Sequence, residues 1–304
     1  MISRKDIHRI LLIFTCIFFV ASIGTVQAQS EKAKELFNEG VDAESAGDLK
    51  TAKTKYEAAI AEDAEYSKPH FNLGAILFKQ KDYKKAQEHF EKVTQLNPDN
   101  VDGWKNLGLA ATKTGDLTIG DNAFSEALKR KPEDVEIMEA YAMLFYNNNA
   151  YDRAISKLEQ LIKHKPKDKK IFYFLGKSYA EVGKTEEAVD NFSSAAKIDP
   201  EYHMAYFEMG NIYLDEESWS KSMSNYEKAV KYDPRHYQSW FNLGSACLGQ
   251  QTESSVVRAY EAYNQFLKLT SGSKSGQIKK MRTQAQGIVK QLVDYFDQAG
   301  ILYE

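Results

Sequence analysis

The chain has 304 residues, 43 of them acidic and 40 basic, and a net charge of −3. That mildly acidic balance excludes the basic surface on which nucleic-acid affinity rests. Two cysteines, Cys16 and Cys247, are too few for a disulfide framework, so stability must come from core burial, which a chain of this length can supply.

The first 28 residues read as a secretory signal. Arg4, Lys5 and Arg9 give a positive start, 10–24 is an apolar run of 15, and Val26-Gln27-Ala28 places compact residues at a cleavage site. A membrane-spanning helix needs about 20 apolar residues, so cleavage after Ala28 is expected rather than retention as an anchor. Cys16 lies inside the apolar run and lacks the setting of a lipidated cysteine. Cleavage removes Arg4, Lys5, Arg9 and Asp6, shifts the net charge to −5 and leaves Cys247 as the single cysteine. The expected location is periplasmic or secreted.

From Ala33 onward one ruler of 34 residues governs the chain. Position 8 reads Gly40, Gly74, Gly108, Ala142, Gly176, Gly210 and Gly244. Position 20 is small throughout (Ala52, Ala86, Gly120, Ala154, Ala188, Ser222) and position 24 is large and apolar (Tyr56, Phe90, Phe124, Leu158, Phe192, Tyr226). Position 32 reads Ala64 and then Pro98, Pro132, Pro166, Pro200 and Pro234. Apolar positions 4, 7, 8 and 11, and again 20, 24 and 27, recur at helical spacing, so each unit is two amphipathic helices. Links such as Gly47-Asp48, Gly115-Asp116 and Gly183-Lys184 are short enough to force an antiparallel hairpin. Small residues at 8 and 20 let the two backbones approach, and the ring at 24 fills the space beside them. Proline at 32 ends the second helix.

Units therefore start near 33, 67, 101, 135, 169, 203 and 237, within a span of 29–270. The first is weakened by Glu39 at position 7 and Ala43 at position 11, as suits a terminal unit facing solvent. Gly120 sits inside a helix at a cost of roughly 1 kcal/mol. The seventh unit fits, with Ala259, Tyr263 and Phe266 at 20, 24 and 27, if three extra residues enter the link around 250–255. Cys247 falls at position 11 of that unit and is expected as a buried small hydrophobe. SGSKSG at 271–276 reads as a flexible linker, and 277–304 as a capping helix and tail. The stripe Ile278, Met281, Ala285, Ile288, Leu292 and Phe296 covers the last unit, and Gly300 lies just past the end of a helix over 277–298.

These columns are similar to the tetratricopeptide pattern W-x2-L-G-x2-Y, then A-x3-F, then P. WKNLG at 104–108, YFEMGNIY at 206–213 and WFNLG at 240–244 match it best. The resemblance implies an all-α, right-handed superhelical solenoid of seven hairpins plus a C-terminal capping helix. It also implies a concave groove lined by positions 2, 5, 6, 9, 12 and 13 of each first helix. Carried over by position, column 5 supplies Phe37, Phe71, Lys105, Tyr173, Phe207 and Phe241, with Glu139 in the fourth unit. Column 6 supplies Asn38, Asn72, Asn106 and Asn242, interrupted by Ala140, Phe174 and Glu208. The column-5 rings lie off the packing stripe, which leaves two readings: they pack against a neighbouring unit, or they face a ligand. An asparagine amide both donates and accepts, so it can pair with the backbone of an extended peptide without reading its side chains. The ladder resembles the start of the one in the repeat arm of the O-GlcNAc transferase. A carboxylate clamp of the kind that grips chaperone tails is not formed, because Leu109, Ala140 and Phe174 occupy three of its places beside Lys105 and Lys170.

The five histidines beyond residue 28 fall in different repeat positions without metal-ligand spacing, and no hydrolase, zinc-protease or phosphate-loop motif occurs. The expectation is a protein without enzymatic activity, cofactor, metal or small-molecule substrate, which binds a protein or extended peptide in the groove. The alternative is a structural, assembly or accessory subunit of an envelope complex that uses its convex face or ends. Contact with a membrane is expected only through the signal segment or a membrane-bound partner.

Overall fold

The computed structural model of the protein describes residues 30–301, and every regular element in them is an α-helix. The expected signal segment and the last three residues of the tail lie outside this range. In chain order the helices are α1 (Glu31–Ser45), α2 (Leu49–Glu62), α3 (Ser67–Lys79), α4 (Tyr83–Leu96), α5 (Val101–Thr114), α6 (Leu117–Arg130), α7 (Val135–Asn147) and α8 (Tyr151–Ile162). They continue as α9 (Lys169–Glu181), α10 (Thr185–Ile198), α11 (His203–Asp215), α12 (Trp219–Tyr232), α13 (Tyr237–Gln250), α14 (Glu253–Leu269) and α15 (Gly276–Ala299). Two compact units result, one ending at Ala110 and the other beginning at Ala111, with the division inside α5. The first holds the hairpins α1/α2 and α3/α4. The second holds α7/α8, α9/α10, α11/α12 and α13/α14, with α15 against α14.

One device closes the hairpins. Position 15 adopts the left-handed conformation in all seven repeats: Gly47, Lys81, Gly115, Asn149, Gly183, Glu217 and Gln251, with φ between 54° and 81°. In six of them the next N–H reaches back five residues, as from Asp48 to the Ala43 carbonyl and from Lys184 to that of Tyr179 (both 2.9 Å), which satisfies the last carbonyls of the first helix. In the first three repeats the residue that donates this bond also caps the second helix through its side chain. Asp48, Asp82 and Asp116 accept from the N–H groups of Thr51, Lys85 and Ile119 at 3.0, 3.4 and 3.0 Å. Gly183 has open space where a β-carbon would stand, so Gly183→Ala is expected to cost about 1 kcal/mol through backbone strain alone. Glu217→Gly should act in the opposite sense; thermal melts of both variants check the pair.

Within the hairpins, position 8 meets position 24. A β-carbon added to Gly40, Gly74, Gly176, Gly210 or Gly244 would stand 2.6 to 2.9 Å from the ring of Tyr56, Phe90, Phe192, Tyr226 or Tyr263. The fourth repeat carries Ala142 there, opposite Leu158, and both are buried. The methyl group at position 8 is thus matched by loss of the ring at 24. Gly120 also has a packing reason: its missing β-carbon would lie 2.8 Å from the methyls of Leu144.

In the seventh repeat the structure moves the three extra residues out of the link. Only Gln251 and Thr252 separate the helices, and α14 is longer by a turn, with 17 residues against 14 in α12. Thr252 and Ser255 form a reciprocal capping box at its start, and Ala259, Tyr263 and Phe266 are buried three positions later than the ruler would put them. Cys247 is fully buried in the same cluster, and that burial pushes its thiol up to about 12. Helix α15 buries Ala285, Leu292 and Phe296 against this cluster, with Met281 and Ile288 partly buried beside it. It ends at left-handed Gly300.

Candidate functional site

The first-helix positions divide into a ring column and a polar column. In five hairpins the position-5 ring sits on the position-24 ring of its own hairpin. The pairs are Phe37–Tyr56, Phe71–Phe90, Tyr173–Phe192, Phe207–Tyr226 and Phe241–Tyr263, with centroids 5.7, 5.9, 5.8, 6.0 and 5.5 Å apart. All five position-5 rings are half-buried. Hairpin packing therefore accounts for part of each ring and leaves the remainder at the surface of the first helix.

In the first unit Asn38 is exposed and Asn106 half-buried. Asn72 donates through Nδ2 to the Tyr56 hydroxyl at 3.0 Å, which in turn donates to Glu44 at 2.8 Å. The amide is thus partly engaged with the preceding hairpin instead of standing free. Asn242 repeats the arrangement, donating to Tyr226 Oη at 3.3 Å and to Asn211 Oδ1 at 3.0 Å. The sequence carried a signal for this. Tyrosine occupies position 24 at Tyr56 and Tyr226, each followed 16 residues later by one of these asparagines, whereas Phe90 offers Asn106 no hydroxyl. The Lys105 side chain is mostly covered, and its ammonium lies 3.6 Å from the exposed Asp102 carboxylate one turn earlier on the same helix.

In the second unit the polar groups join into a strip across three first helices. Glu208 of α11 accepts from the Tyr173 hydroxyl of α9 at 3.1 Å and from Asn211 at 3.2 Å, and it pairs with Lys177 at 3.2 Å. Asn211 in turn accepts from the Tyr226 hydroxyl at 2.7 Å and from Asn242 of α13. Burial first, and then the Glu208 charge, pushes the Tyr173 phenol far up, so it remains a donor. These are positions 5, 6 and 9, and the network holds their side chains in fixed orientations. Glu208 and Asn211 had not been expected as members. Their part depends on contacts between hairpins, which a one-dimensional frame does not reveal.

Four of the five histidines among the described residues, scattered in sequence, form two pairs. His70 and His89 bring their Nδ1 atoms to 3.0 Å inside the α3/α4 hairpin, and His70 Nε2 is buried without a hydrogen-bond partner. His203 contacts His236, whose Nδ1 lies 2.7 Å from Ser239 Oγ. Among the described residues no group of three or more histidine, cysteine or carboxylate side chains is placed to hold a metal. Burial, followed by the His89 charge, lowers His70 to about 4, with the Ala64 carbonyl opposing and Lys92 acting in the same direction. His89 is lowered too by burial, with Glu88 and Glu57 opposing and Lys53 assisting. A histidine lowered on folding binds fewer protons than its unfolded form, so stability is full above the unfolded value near 6.5 and falls as pH drops toward about 4. Denaturant melts at about pH 7 and pH 5 are expected to show that loss, and His70→Phe should reduce it.

No helix among the described residues is long and apolar enough to cross a membrane. Four family models match the chain: two described as "Tetratricopeptide repeat", at 67–100 and 207–274, one as "TPR repeat", at 176–216, and one as "Anaphase-promoting complex, cyclosome, subunit 3", at 117–195. No curated protein matches in sequence. Among solved structures, the C-terminal part of a TPR repeat-containing protein from Cytophaga hutchinsonii is similar at 17% identity and a TM-score of 0.63, covering 82% of this chain and 97% of its own. A tetratricopeptide repeat protein from Parabacteroides merdae is 17% identical, with a TM-score of 0.55 over 84% of this chain and 100% of its own. YrrB, described as a TPR protein with an unusual peptide-binding site, is 19% identical, with a TM-score of 0.50 over 60% of this chain and 95% of its own. At these identities the likeness is one of fold.

Proposed function

Because the chain is a tetratricopeptide repeat protein, we propose that it is a non-enzymatic interaction scaffold. In this reading it holds an extended segment of a partner protein on the first-helix face of its hairpins. The observation that carries the proposal is the strip from Tyr173 through Glu208 and Asn211 to Asn242. It fixes donors and acceptors on three consecutive first helices, beside half-buried rings. Preorganised groups of this kind cost little further ordering when a peptide backbone pairs with them. The peptide-binding site attributed to YrrB lies on a similar fold and supports the same use here.

The proposed place of action is outside the cytoplasm, after removal of the first 28 residues. Intact-mass measurement of the exported chain should give an N-terminus near Gln29, and a chain retaining Arg4 to Gly24 would remove this part of the proposal. For binding, the combined Asn242→Ala and Lys177→Ala variant is expected to lose the proteins that the unaltered chain retains from an envelope extract. Unchanged retention by a variant with an unchanged melt would instead favour an assembly subunit that works through its convex face or ends.

A further inference from the structure

The fourth hairpin lacks the ring stack that others carry. Position 5 rests on position 24, and in three hairpins also on position 34: Phe37 on Tyr66 at 5.4 Å, Tyr173 on Tyr202 at 5.6 Å and Phe207 on His236 at 4.7 Å. In the fourth repeat the same three positions are Glu139, Leu158 and Asp168. The space is not filled from elsewhere. A cavity of about 290 Å³ remains, floored by the buried side chains of Leu158, Leu161 and Ile171 and walled by Met143 and Phe174.

Its polar groups are held at the rim. Glu139 is paired with Lys165, and the Asp168 carboxylate accepts from the Lys170 N–H at 2.9 Å. Two acids and two bases leave the mouth with no net charge. Phe174 is fixed as a wall by Tyr146 and Tyr173, with centroids at 4.9 and 5.7 Å, so an edge-to-face partner would meet a rigid ring. The volume lies at or below the lower bound of the roughly 300–1,000 Å³ usual for small-molecule sites, and it suits one side chain.

We infer that this cavity receives a phenylalanine or tyrosine side chain from an extended segment of a partner protein. The chain itself indicates the occupant, because it puts its own Phe or Tyr ring at the equivalent place in five other hairpins. A neutral aromatic residue also fits a charge-balanced rim over an apolar floor, and buried aromatic anchors are the usual hot spots of interfaces. The cavity opens between α7 and α9, next to Tyr173, where the polar strip begins. The anchor would therefore set the register of a segment whose backbone pairs with that strip. This inference rests on the interaction-scaffold reading.

The test is selection of random twelve-residue peptides displayed on phage by the full chain, run in parallel with Glu139→Phe and Met143→Phe, two variants that fill the cavity from positions one turn apart on α7. The expected result is enrichment of peptides with one aromatic position, and binding of synthetic copies weakened about ten- to a hundredfold by changing that residue to alanine or by a filling variant. Having two variants keeps the test decisive if one fails to fold. Enriched peptides without an aromatic position, or binding unaffected by filling, would overturn the aromatic anchor and leave the scaffold reading in place. Failure to enrich any peptide would overturn both.

Discussion

Gly176→Leu is expected to destabilise the second unit by about 1–3 kcal/mol or more, because overpacking a closed contact forces side chains and backbone apart. A β-carbon at this position would already lie 2.6 Å from the Phe192 ring, and both residues are buried. Gly176→Ala should therefore destabilise as well, although alanine favours helix. The Ala142/Leu158 pair predicts the remedy. Phe192→Leu alone should destabilise by opening a cavity, yet added to Gly176→Ala it should cost less than the sum of the two changes. Denaturant unfolding of the four chains measures the coupling. A strictly additive outcome would mean that positions 8 and 24 do not constrain each other.

Phe296→Ala is the second large effect expected, at about 3–5 kcal/mol for truncating a fully buried ring. Phe296 packs edge-on against Tyr260, with centroids 5.7 Å apart, and closes the cluster that holds Cys247. The thiol gives a local readout. In the unaltered chain burial keeps it protonated and shielded, so a thiol reagent should react slowly and only through opening of this end. Loss of the ring should accelerate the reaction well before the hairpins α9/α10 melt. Equal rates in the two chains would show that α15 does not cover the cluster in solution.

The hairpin scaffold was legible because its demands are compositional. Gly210 must be small to admit Tyr226, and Pro200 must end a helix, so these positions recur as letters. The left-handed column at position 15 was only half legible. Gly47 and Gly183 mark it, but Lys81, Glu217 and Gln251 adopt the same backbone without any signature in their identity. Asn72 and Asn242 were found as amides, yet their engagement with Tyr56 and Tyr226 depends on how one hairpin meets the next. The pairing of His70 with His89 was hidden for a different reason: it lies within a single hairpin and is set by how the two helices pack, not by ligand spacing. The cavity in the fourth repeat shows as an absence: Glu139, Leu158 and Asp168 are each ordinary, and only their coincidence removes a ring stack.

The use of the first-helix face is tested most directly by site-specific photo-crosslinking. A photoreactive amino acid would be placed at Gln238, half-buried at position 2 of the first helix α13 and outside the polar strip, and separately at Glu186, exposed near the start of the second helix α10. If partners are held on the first-helix face, adducts should form from position 238 and be absent from position 186. Adducts from 186 with none from 238 would contradict that use of the fold.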